Sequence, residues 1–422
     1  MPDRRYRVLA MASHPAQYMA PIFRRLAAHS AVELHVAYCS LRGAEVGHDT
    51  EFGASVKWDV PLLDGYSWSQ MPNRGPGTES FLGLFNPGVW KLIREGKFDA
   101  VLCFIGYRCA TFWMALAAAK LSKTAFLFGT DTTTLAPRDG RVWKTVLKKM
   151  FWPRLFRLAD QVIVPSSGSR DLMLSLGIPG ERVTLTPYSV DNEWWMQQSS
   201  QVDRVAVRES WGAGPDAGVI LFCAKLQPWK RPADLLRAFA KASVADALLV
   251  FAGEGPLRSQ LESEAAALGV ASRVRFLGFV NQSQLPAVYA SADLMVLPSE
   301  YEPFGVVVNE AMCCGCAVVA SDRVGAARDL VAPVAPKFVF PCGDVQALIA
   351  LLKNVVTDRA GLQAVARAAR AHIQTWSPEA NIAATVEAIR TGVARANHGQ
   401  ATAQGDSAAR RAAPAATSKL HE

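Results

Sequence analysis

The segment Asp293–Met312 reads DLMVLPSEYEPFGVVVNEAM and is the most informative part of the sequence about the fold. Its beginning, Asp293–Pro298, is an apolar run typical of a buried strand, and its end opens a helical pattern. A strand that leads through a short loop into a helix is the unit of parallel α/β sheets. In doubly wound sheets, ligands bind beyond the carboxyl ends of the strands. The stretch therefore predicts an α/β fold with a ligand site at the loop that contains Glu302 and Gly305.

The same alternation of short apolar runs and helical patterns continues on both sides of this stretch. It predicts two similar α/β halves, each a doubly wound parallel sheet, joined by a linker. A long segment, residues 42–88, interrupts the first half with Gly, Pro, Asp and aromatic residues, and an insertion of this length is typically functional. The predicted strands are Arg7–Ala12, Val32–Tyr38, Ala100–Phe104, Thr124–Phe128 and Gln161–Pro165 in the first half, and Val219–Ala224, Leu248–Ala252, Val274–Leu277, Leu294–Pro298 and Ala317–Ser321 in the second.

The composition is that of a globular protein with two domains: 422 residues, of which 50% are apolar and 19% are charged. This excludes a disordered chain, and no apolar run approaches the roughly 18 residues that span a bilayer. The N-terminus has too short an apolar run for a secretory signal, so a cytoplasmic protein is expected. The eight cysteines lie mostly in apolar stretches, which indicates reduced thiols. Cys313, Cys314 and Cys316 lack a second group at metal-ligand spacing and are interpreted as small core residues.

Two groups of residues carry the predicted chemistry. Gly305 lets the backbone approach a ligand closely, and the free N–H groups of the following helical turn favour an anion. Glu302 and Glu310 are interpreted as acceptors for sugar and ribose hydroxyls, because a carboxylate repels phosphate. Lys225 and Lys230 follow the first strand of the second half, and two cations at a strand end are suited to neutralising a departing diphosphate.

The order of these motifs resembles the retaining glycosyltransferases of family 4, which have the GT-B fold. The resemblance covers residues 219–331 well and the first half only in architecture. It implies two Rossmann-like domains with a cleft between them. The predicted domains are an N-terminal acceptor domain (1–195, with the insertion 42–88), a nucleotide-sugar donor domain (196–376), a helix that crosses back to the N-terminal domain (377–395) and a disordered tail (396–422). The motifs are Lys225…Lys230, Gly253-Glu-Gly-Pro256, Glu302-x7-Glu310 and the following Gly315-x-x-Val318.

The resemblance assigns expected roles to individual residues. Lys230 would hold the donor diphosphate, Glu302 would contact hydroxyls of the donor sugar, and Glu310 would bind the nucleotide ribose. Lys225 stands where the family commonly has Arg, and three successive residues of the Gly305 loop would offer backbone groups to the sugar and the phosphate. The implied donor-binding set is Lys225, Lys230, Gly253, Glu302, Phe304, Gly305, Val306 and Glu310.

The resemblance also implies transfer with retention, in which the departing diphosphate takes the proton of the acceptor. A pair of carboxylates like that of a glycosidase is then not required. The chain contains no Asp-x-Asp motif, so no metal and no other cofactor is expected, and the nucleoside-diphosphate sugar serves as a co-substrate.

The first half departs from the family pattern at two positions. The family often has a Gly-rich turn after the first strand, where this chain has Ser13-His14-Pro-Ala-Gln17-Tyr18, and a His commonly follows the fourth strand, where this chain has Asp131. His14 and Asp131 are therefore predicted, with Glu302, to be catalytic. The alternatives are a turn histidine bonded to the backbone for His14 and a helix or turn cap for Asp131.

A basic segment, Arg138–Arg157, holds seven Lys and Arg residues against one acidic residue, although the net charge of the whole chain is only +8. Aromatic and aliphatic residues interleave them, and Trp143, Val146, Leu147, Met150 and Phe151 share one helical stripe from which Lys144 and Lys148 are displaced. A basic amphipathic helix favours an anionic membrane surface. The alternatives are a buried apolar stripe with a solvated basic face, and nucleic acid, for which no module signature accompanies the segment.

These patterns together predict a retaining hexosyltransferase of polysaccharide or glycan biosynthesis. It would transfer a hexose from a nucleoside-diphosphate sugar, with UDP favoured, to a hydroxyl of a lipid-linked or saccharide acceptor. A cytoplasmic protein, peripheral at the inner face of the cytoplasmic membrane and without a nucleic-acid partner, is expected. Two other functions remain open: a catalytically weak GT-B subunit that binds nucleotide as a partner protein, and a sugar-nucleotide epimerase.

Overall fold

The computed structural model describes residues 4–45, 47–49, 54–78, 80–137, 141–214, 216–244 and 246–412, with the backbone alone at 47–49, 54–56 and 399–412. Arg138 and Asp139 of the basic segment lie outside the described residues, as do residues 46, 50–53 and 79 of the insertion and residues 413–422 of the predicted tail.

The N-terminal half is built on a seven-stranded sheet in the order β5-β2-β1-β6-β7-β8-β9, in which every pairing is parallel. The predicted insertion is not irregular throughout, because it contributes the antiparallel pair β3–β4 and the edge strand β5. The strands are β1 (Tyr6–Ala12), β2 (Val32–Tyr38), β3 (Gly47–Asp49), β4 (Ala54–Val56), β5 (Ser67–Gln70), β6 (Ala100–Cys103), β7 (Ala125–Gly129), β8 (Gln161–Val164) and β9 (Val183–Leu185).

Helices connect these strands and cover both faces of the sheet. Ser166 caps the last of them, since its side chain accepts a hydrogen bond from the Ser169 amide and so satisfies one unpaired donor of the first turn. The helices are α1 (Ala20–Ala28), α2 (Gly88–Gly96), α3 (Ala110–Leu121), α4 (Val142–Leu158) and α5 (Ser167–Ser175).

The C-terminal half contains a six-stranded sheet in the order β12-β11-β10-β13-β14-β15, again parallel throughout. Its strands are β10 (Gly218–Cys223), β11 (Ala247–Ala252), β12 (Val274–Gly278), β13 (Leu294–Leu297), β14 (Ala317–Ser321) and β15 (Val339–Phe340). Its helices are α6 (Asn192–Ser200), α7 (Arg204–Ser210), α8 (Pro232–Ala242), α9 (Arg258–Ala267), α10 (Leu285–Ser291), α11 (Val307–Cys313), α12 (Val345–Thr357) and α13 (Arg359–His372), followed by α14 (Pro378–Ala412). The predicted α/β fold with two Rossmann-like domains is confirmed.

Each sheet reverses its strand order at one point, between β1 and β6 in the first sheet and between β10 and β13 in the second. In doubly wound sheets, the loops at such a point diverge and leave a crevice beyond the carboxyl ends of the strands. The loops that carry His14, Lys225 and Glu302 leave three of these four strands, β1, β10 and β13, at that end.

Both halves have cores of fully buried strand residues. The strands β10, β11 and β13 are buried along their whole length, as expected for central strands covered on both faces. Each fully buried large apolar side chain contributes about 1.5–3 kcal/mol through removal of its surface from water. The cores therefore fix the positions of the strand ends from which the site residues project.

The helix α14 returns from the C-terminal half to the N-terminal sheet. Its residues Ile382, Val386 and Ile389 lie in the same buried cluster as Val8 and Leu127 of the first sheet. The helix extends past the predicted boundary at residue 395 and continues to Ala412. The exact domain boundaries stay predictions. No helix in the part of the chain that the structure describes is both long enough and apolar enough to cross a membrane.

Candidate active site

A cleft of about 690 Å³ lies between the two halves and is lined by residues of both. The structure brings all ten residues of the predicted site together around this cleft: His14 and Asp131 from the N-terminal half, and Lys225, Lys230, Gly253, Glu302, Phe304, Gly305, Val306 and Glu310 from the C-terminal half.

Lys230 and Glu302 form an ion pair in the cleft, and each side chain is only 15% exposed. Lys230 ends a short turn, Pro228–Lys230, and the next residue, Arg231, has a left-handed backbone with φ of 53° that leads into α8. Glu302 follows β13 and is held by a backbone bridge to Val324. The pairing keeps an ammonium group and a carboxylate next to each other in a partly dry site, where charges act more strongly than in water.

The backbone of the Gly305 loop presents hydrogen-bond donors to the cleft. Within the described ranges, the amide N–H groups of Phe304, Gly305 and Val306 have no hydrogen-bond acceptor, although the three residues line the cavity. Gly305 has φ of +99°, and an added Cβ would lie 3.1 Å from Glu302 Cγ. Successive free N–H groups before a helix are a suitable site for an anion.

Glu310 lies in α11 at the floor of the cleft and is almost completely buried. The Tyr289 hydroxyl donates a hydrogen bond of 2.8 Å to Glu310 Oε2 and lies 3.2 Å from Cys223 Sγ. Burial raises the pKa of Glu310 to about 8 from an ordinary value of 4.5, while hydrogen bonds from Tyr289 and Gln282 oppose the rise. Burial therefore favours the protonated form of this carboxyl group, which the Tyr289 hydroxyl holds by a hydrogen bond.

Gly253 lies directly after β11, where the chain passes the loop that carries Lys225. Its φ is +149°, and an added Cβ would lie 2.0 Å from the Ala224 carbonyl oxygen, so no larger residue fits without movement of the backbone. Its amide donates to the Gly278 carbonyl over 2.8 Å. Gly253 therefore sets the separation of two loops that line the cleft.

The N-terminal residues face these groups from the opposite side. The Ser13 hydroxyl and His14 Nδ1 are 2.9 Å apart, so a neighbouring side chain orients the His14 ring. Burial, followed by the charges of Tyr18 and Asp131, raises the pKa of Tyr188 well above its ordinary value. Asp131 is therefore electrostatically coupled to a partly buried tyrosine of the cleft wall.

Sequence reasoning placed Phe304 in the site but missed other residues around it. Phe304 stacks on Trp376 with ring centroids 5.7 Å apart and contacts Tyr188 at 5.0 Å, and Tyr188 in turn contacts Tyr18 at 5.7 Å. This row of rings connects the two halves across residues distant in sequence, so no local pattern indicates it. The other missed residues include Arg42, Trp58, Trp229, Phe279 and Gln282. Of these, Trp58 belongs to the aromatic-rich insertion, whose composition was the available signal.

The described residues contain no group of three or more His, Cys, Asp or Glu side chains arranged to hold a metal ion. Cys313, Cys314 and Cys316 are buried, and burial raises the pKa of each thiol. That the reaction needs no metal stays a prediction.

Two family models match the chain in succession. The model described as Glycosyltransferase Family 4 matches residues 22–194, and the model described as Glycosyl transferases group 1 matches residues 203–372. The two matches, one to each half, show a glycosyltransferase of the group 1/family 4 type. The family 4 chain is 32% identical over 242 residues to a D-inositol 3-phosphate glycosyltransferase of Geodermatophilus obscurus, a match that covers 54% of this chain and 52% of that protein.

A second relative is an uncharacterized glycosyltransferase of Methanocaldococcus jannaschii, 38% identical over 174 residues, which are 40% of this chain and 44% of that protein. The matched region therefore spans about half the length of these two curated relatives. Among solved structures, HepE of Anabaena in complex with UDP and glucose has a TM-score of 0.69 at 20% identity and covers 91% of this chain and 99% of that chain. This likeness confirms the predicted GT-B fold.

Proposed function

We propose that this family 4 glycosyltransferase transfers a hexose from a nucleoside-diphosphate sugar, with UDP as the favoured nucleotide, to a hydroxyl group of its acceptor with retention of configuration. The observation that carries the proposal is the arrangement around the Lys230–Glu302 pair. A cation, three free backbone N–H groups and a buried carboxyl group line one cleft between two Rossmann-like domains. The UDP and glucose named for HepE and the glycosyl transfer named for the curated relatives support the same class of donor.

Each group has a defined part in the proposed reaction. Lys230 and the amides of Phe304, Gly305 and Val306 bind the diphosphate and stabilise the negative charge that grows on it as the bond from the sugar C1 breaks. Glu302 accepts hydrogen bonds from sugar hydroxyls, and Glu310 accepts them from the ribose. The acceptor oxygen bonds to C1 on the face that the diphosphate leaves, and the acceptor proton moves to the departing diphosphate oxygen.

His14 and Asp131 are proposed to act on the acceptor side of the same cleft. Both line it from the N-terminal domain, opposite the donor-binding groups. A neutral imidazole or a carboxylate there orients the acceptor hydroxyl toward C1 by a hydrogen bond. Such orientation speeds the reaction because it holds the reacting atoms in the right geometry. It does so even if His14 or Asp131 takes no proton.

The acceptor is proposed to be lipid-linked, because α4 of the N-terminal domain has the features of a membrane-binding element. Trp143, Val146, Leu147 and Met150 of α4 are each between 53% and 60% exposed. The alternative of a buried apolar stripe is therefore wrong: α4 buries Trp152, Leu155 and Phe156 instead. An exposed apolar stripe flanked by Lys and Arg suits the interface of an anionic bilayer.

The helix α4 is near the cleft residue Asp131 in sequence and contacts the segment that follows Asp131. It is preceded by the loop that runs from Asp131, and Lys148 Nζ donates to the Leu135 carbonyl of that loop over 3.1 Å. A membrane held by α4 would thus lie on the acceptor side of the site. The proposed location is the inner face of the cytoplasmic membrane, and polysaccharide or glycan biosynthesis is the proposed process.

The test of the proposed function is the release of nucleotide from a panel of UDP-, GDP- and ADP-sugars, with Lys230→Ala and Glu310→Ala in parallel. We expect slow release from one donor by the native chain and none from either variant. The anomeric configuration of a transferred sugar, determined by NMR, tests retention. Binding of a donor without any turnover, in the presence of lipid-linked and free saccharide acceptors, would favour the nucleotide-binding partner subunit instead.

A further inference from the structure

The insertion of the N-terminal domain reaches across one end of the cleft and binds the donor domain. The segment Lys57–Asp59, here named the latch, contacts the loop that follows β12. Asn281 Nδ2 donates to the Lys57 carbonyl over 2.8 Å, and Asn281 Oδ1 accepts from the Asp59 amide over 3.3 Å. The Asp59 carboxylate accepts hydrogen bonds from both the amide (3.0 Å) and the hydroxyl of Ser283.

The middle residue of the latch, Trp58, faces the cavity. Its ring contacts Phe279 of the donor domain with centroids 6.0 Å apart, and both rings line the cleft. On its other side Gly43, with φ of +93°, approaches so closely that an added Cβ would lie 3.2 Å from Trp58 Cδ1. The ring is therefore held between a glycine of its own domain and a phenylalanine of the donor domain.

The Trp58–Phe279 corner lies beside the end of the cleft to which the proposed function assigns the nucleoside. Gln282, which hydrogen-bonds Glu310, belongs to the same loop as Phe279 and Ser283. If Glu310 binds the ribose, the base next to it faces apolar and aromatic residues of this loop, Phe279 and Val280, and the ring of Trp58. A flat heterocycle stacked on an aromatic side chain is a favourable contact that a ligand without a base cannot make.

We propose that Trp58 is a donor-recognition residue supplied by the N-terminal domain, which contacts the nucleobase, and that Asp59 positions it by binding Ser283. This inference rests on the proposed function, because it takes the ligand to be a nucleoside diphosphate. It goes beyond that function by making base recognition a property of both domains. The donor site is then complete only while the latch joins them.

The test compares two ligands that differ in the base. UDP and inorganic pyrophosphate are titrated calorimetrically into the native chain, Trp58→Ala, Trp58→Phe and Asp59→Ala. Because only UDP carries a base, we expect Trp58→Ala to weaken UDP binding by about tenfold and to leave pyrophosphate binding unchanged. Trp58→Phe should recover most of the UDP affinity. Asp59→Ala should weaken UDP binding several-fold with pyrophosphate again unchanged.

Trp68→Ala is the matched control, since Trp68 belongs to the same insertion but lies partly exposed on β5, away from the cleft. Its affinity for UDP should equal that of the native chain. Unchanged UDP affinity in Trp58→Ala, or an equal loss for UDP and pyrophosphate, would overturn the inference while leaving the proposed function intact. If the native chain bound neither ligand nor any other nucleoside diphosphate, the proposed function itself would fail.

Discussion

Lys230 and Glu302, 72 residues apart in the chain, form an ion pair at the centre of the cleft. The pair links the loop after β10 with the loop after β13, the two strands at which the order of the second sheet reverses. We propose that the pair keeps both side chains in the cleft before the donor binds. When the donor binds, Lys230 pairs with the diphosphate, and Glu302 accepts hydrogen bonds from sugar hydroxyls.

Lys230→Ala should lower the rate of donor turnover, kcat/KM, by about a hundredfold or more, because it removes the cation that stabilises the leaving diphosphate. Lys241→Ala is the control, since Lys241 is an exposed lysine of α8, the helix that follows Lys230. Steady-state nucleotide release measures both. Because the variant leaves Glu302 without its cation, thermal unfolding must first show that it is folded. Turnover equal to that of Lys241→Ala would contradict the assigned role.

The raised pKa of Glu310 predicts that the free energy of unfolding depends on pH. Its pKa is about 8 in the folded chain against an ordinary 4.5, so between these values the folded state binds more protons than the unfolded state. The contribution of this group to stability is therefore fully present below pH about 4.5, declines as the pH rises toward 8, and changes no further above that. Glu310→Gln removes this dependence. Its midpoint of thermal unfolding, compared with that of the native chain, should improve as the pH rises from 5 to about 8 and then level off, and a constant difference across this range would contradict the buried, neutral carboxyl.

The affinity for the donor should also change as Glu310 ionises. It should rise with pH, whereas the contribution of Glu310 to stability falls. The ionised carboxylate is the stronger acceptor for ribose hydroxyls, so UDP binding by the native chain should strengthen a few-fold as the pH rises from 7 to 9. Glu310→Gln should bind more weakly, with no such rise over this range. Calorimetric titrations at fixed ionic strength measure this, and parallel pH profiles for the two chains would rule out Glu310 as the titrating group.

Gly253→Ala should destabilise the chain by about 3 kcal/mol, because the new Cβ would lie 2.0 Å from the Ala224 carbonyl oxygen and the backbone has φ of +149°. Gly88→Ala is the matched control: Gly88 begins α2, and nothing lies within 4 Å of its added Cβ. Chemical denaturation of the two variants measures the difference. Equal stabilities would show that the crowded turn relaxes without cost.

Membrane binding by α4 predicts that both its basic residues and its exposed apolar residues are required. Lys144→Glu with Lys149→Glu should abolish flotation with vesicles that contain anionic lipid. Trp143→Ser with Leu147→Ser should also abolish flotation. This should hold even at low ionic strength, where electrostatic attraction to the anionic lipid is strongest. Lys148 is left unchanged because it lies 5.0 Å from the Trp152 ring and contacts the Leu135 carbonyl, so its replacement would disturb packing. The control is Lys241→Glu, and unchanged flotation of the α4 variants would contradict the membrane surface.

The sequence predicts the central strands closely. Val32–Tyr38 and Ala317–Ser321 begin and end at the predicted residues; Ala317–Ser321 is a short run buried throughout, as is typical of a central parallel strand. The strands β3, β4, β5, β9 and β15 were missed, and β5 and β15, both at sheet edges, show why. Ser67–Gln70 is an exposed edge strand of mostly polar residues, and Val339–Phe340 has only two residues, so neither has an apolar pattern of its own.

The candidate site was predictable where its residues lie at strand ends and not where separate segments meet. Lys225, Lys230, Glu302 and Glu310 follow recognisable strands, and the topology of a parallel sheet brings their loops to one edge. The contact between Trp58 and Phe279 depends on how the two domains face each other, which no local pattern encodes. Likewise, the apolar stripe of α4 was visible in the sequence, but its exposure to solvent depends on the packing of the whole domain.

The most direct test of the central claim is a calorimetric titration of UDP, GDP and ADP into the native chain and into Lys230→Ala, with Lys241→Ala as the control. We expect one nucleoside diphosphate to bind with a stoichiometry of one per chain to the native protein and to the control. We also expect its affinity to fall at least tenfold in Lys230→Ala. A folded native chain that binds none of the three, or a Lys230→Ala variant that binds as tightly as the control, would rule out the proposed donor site.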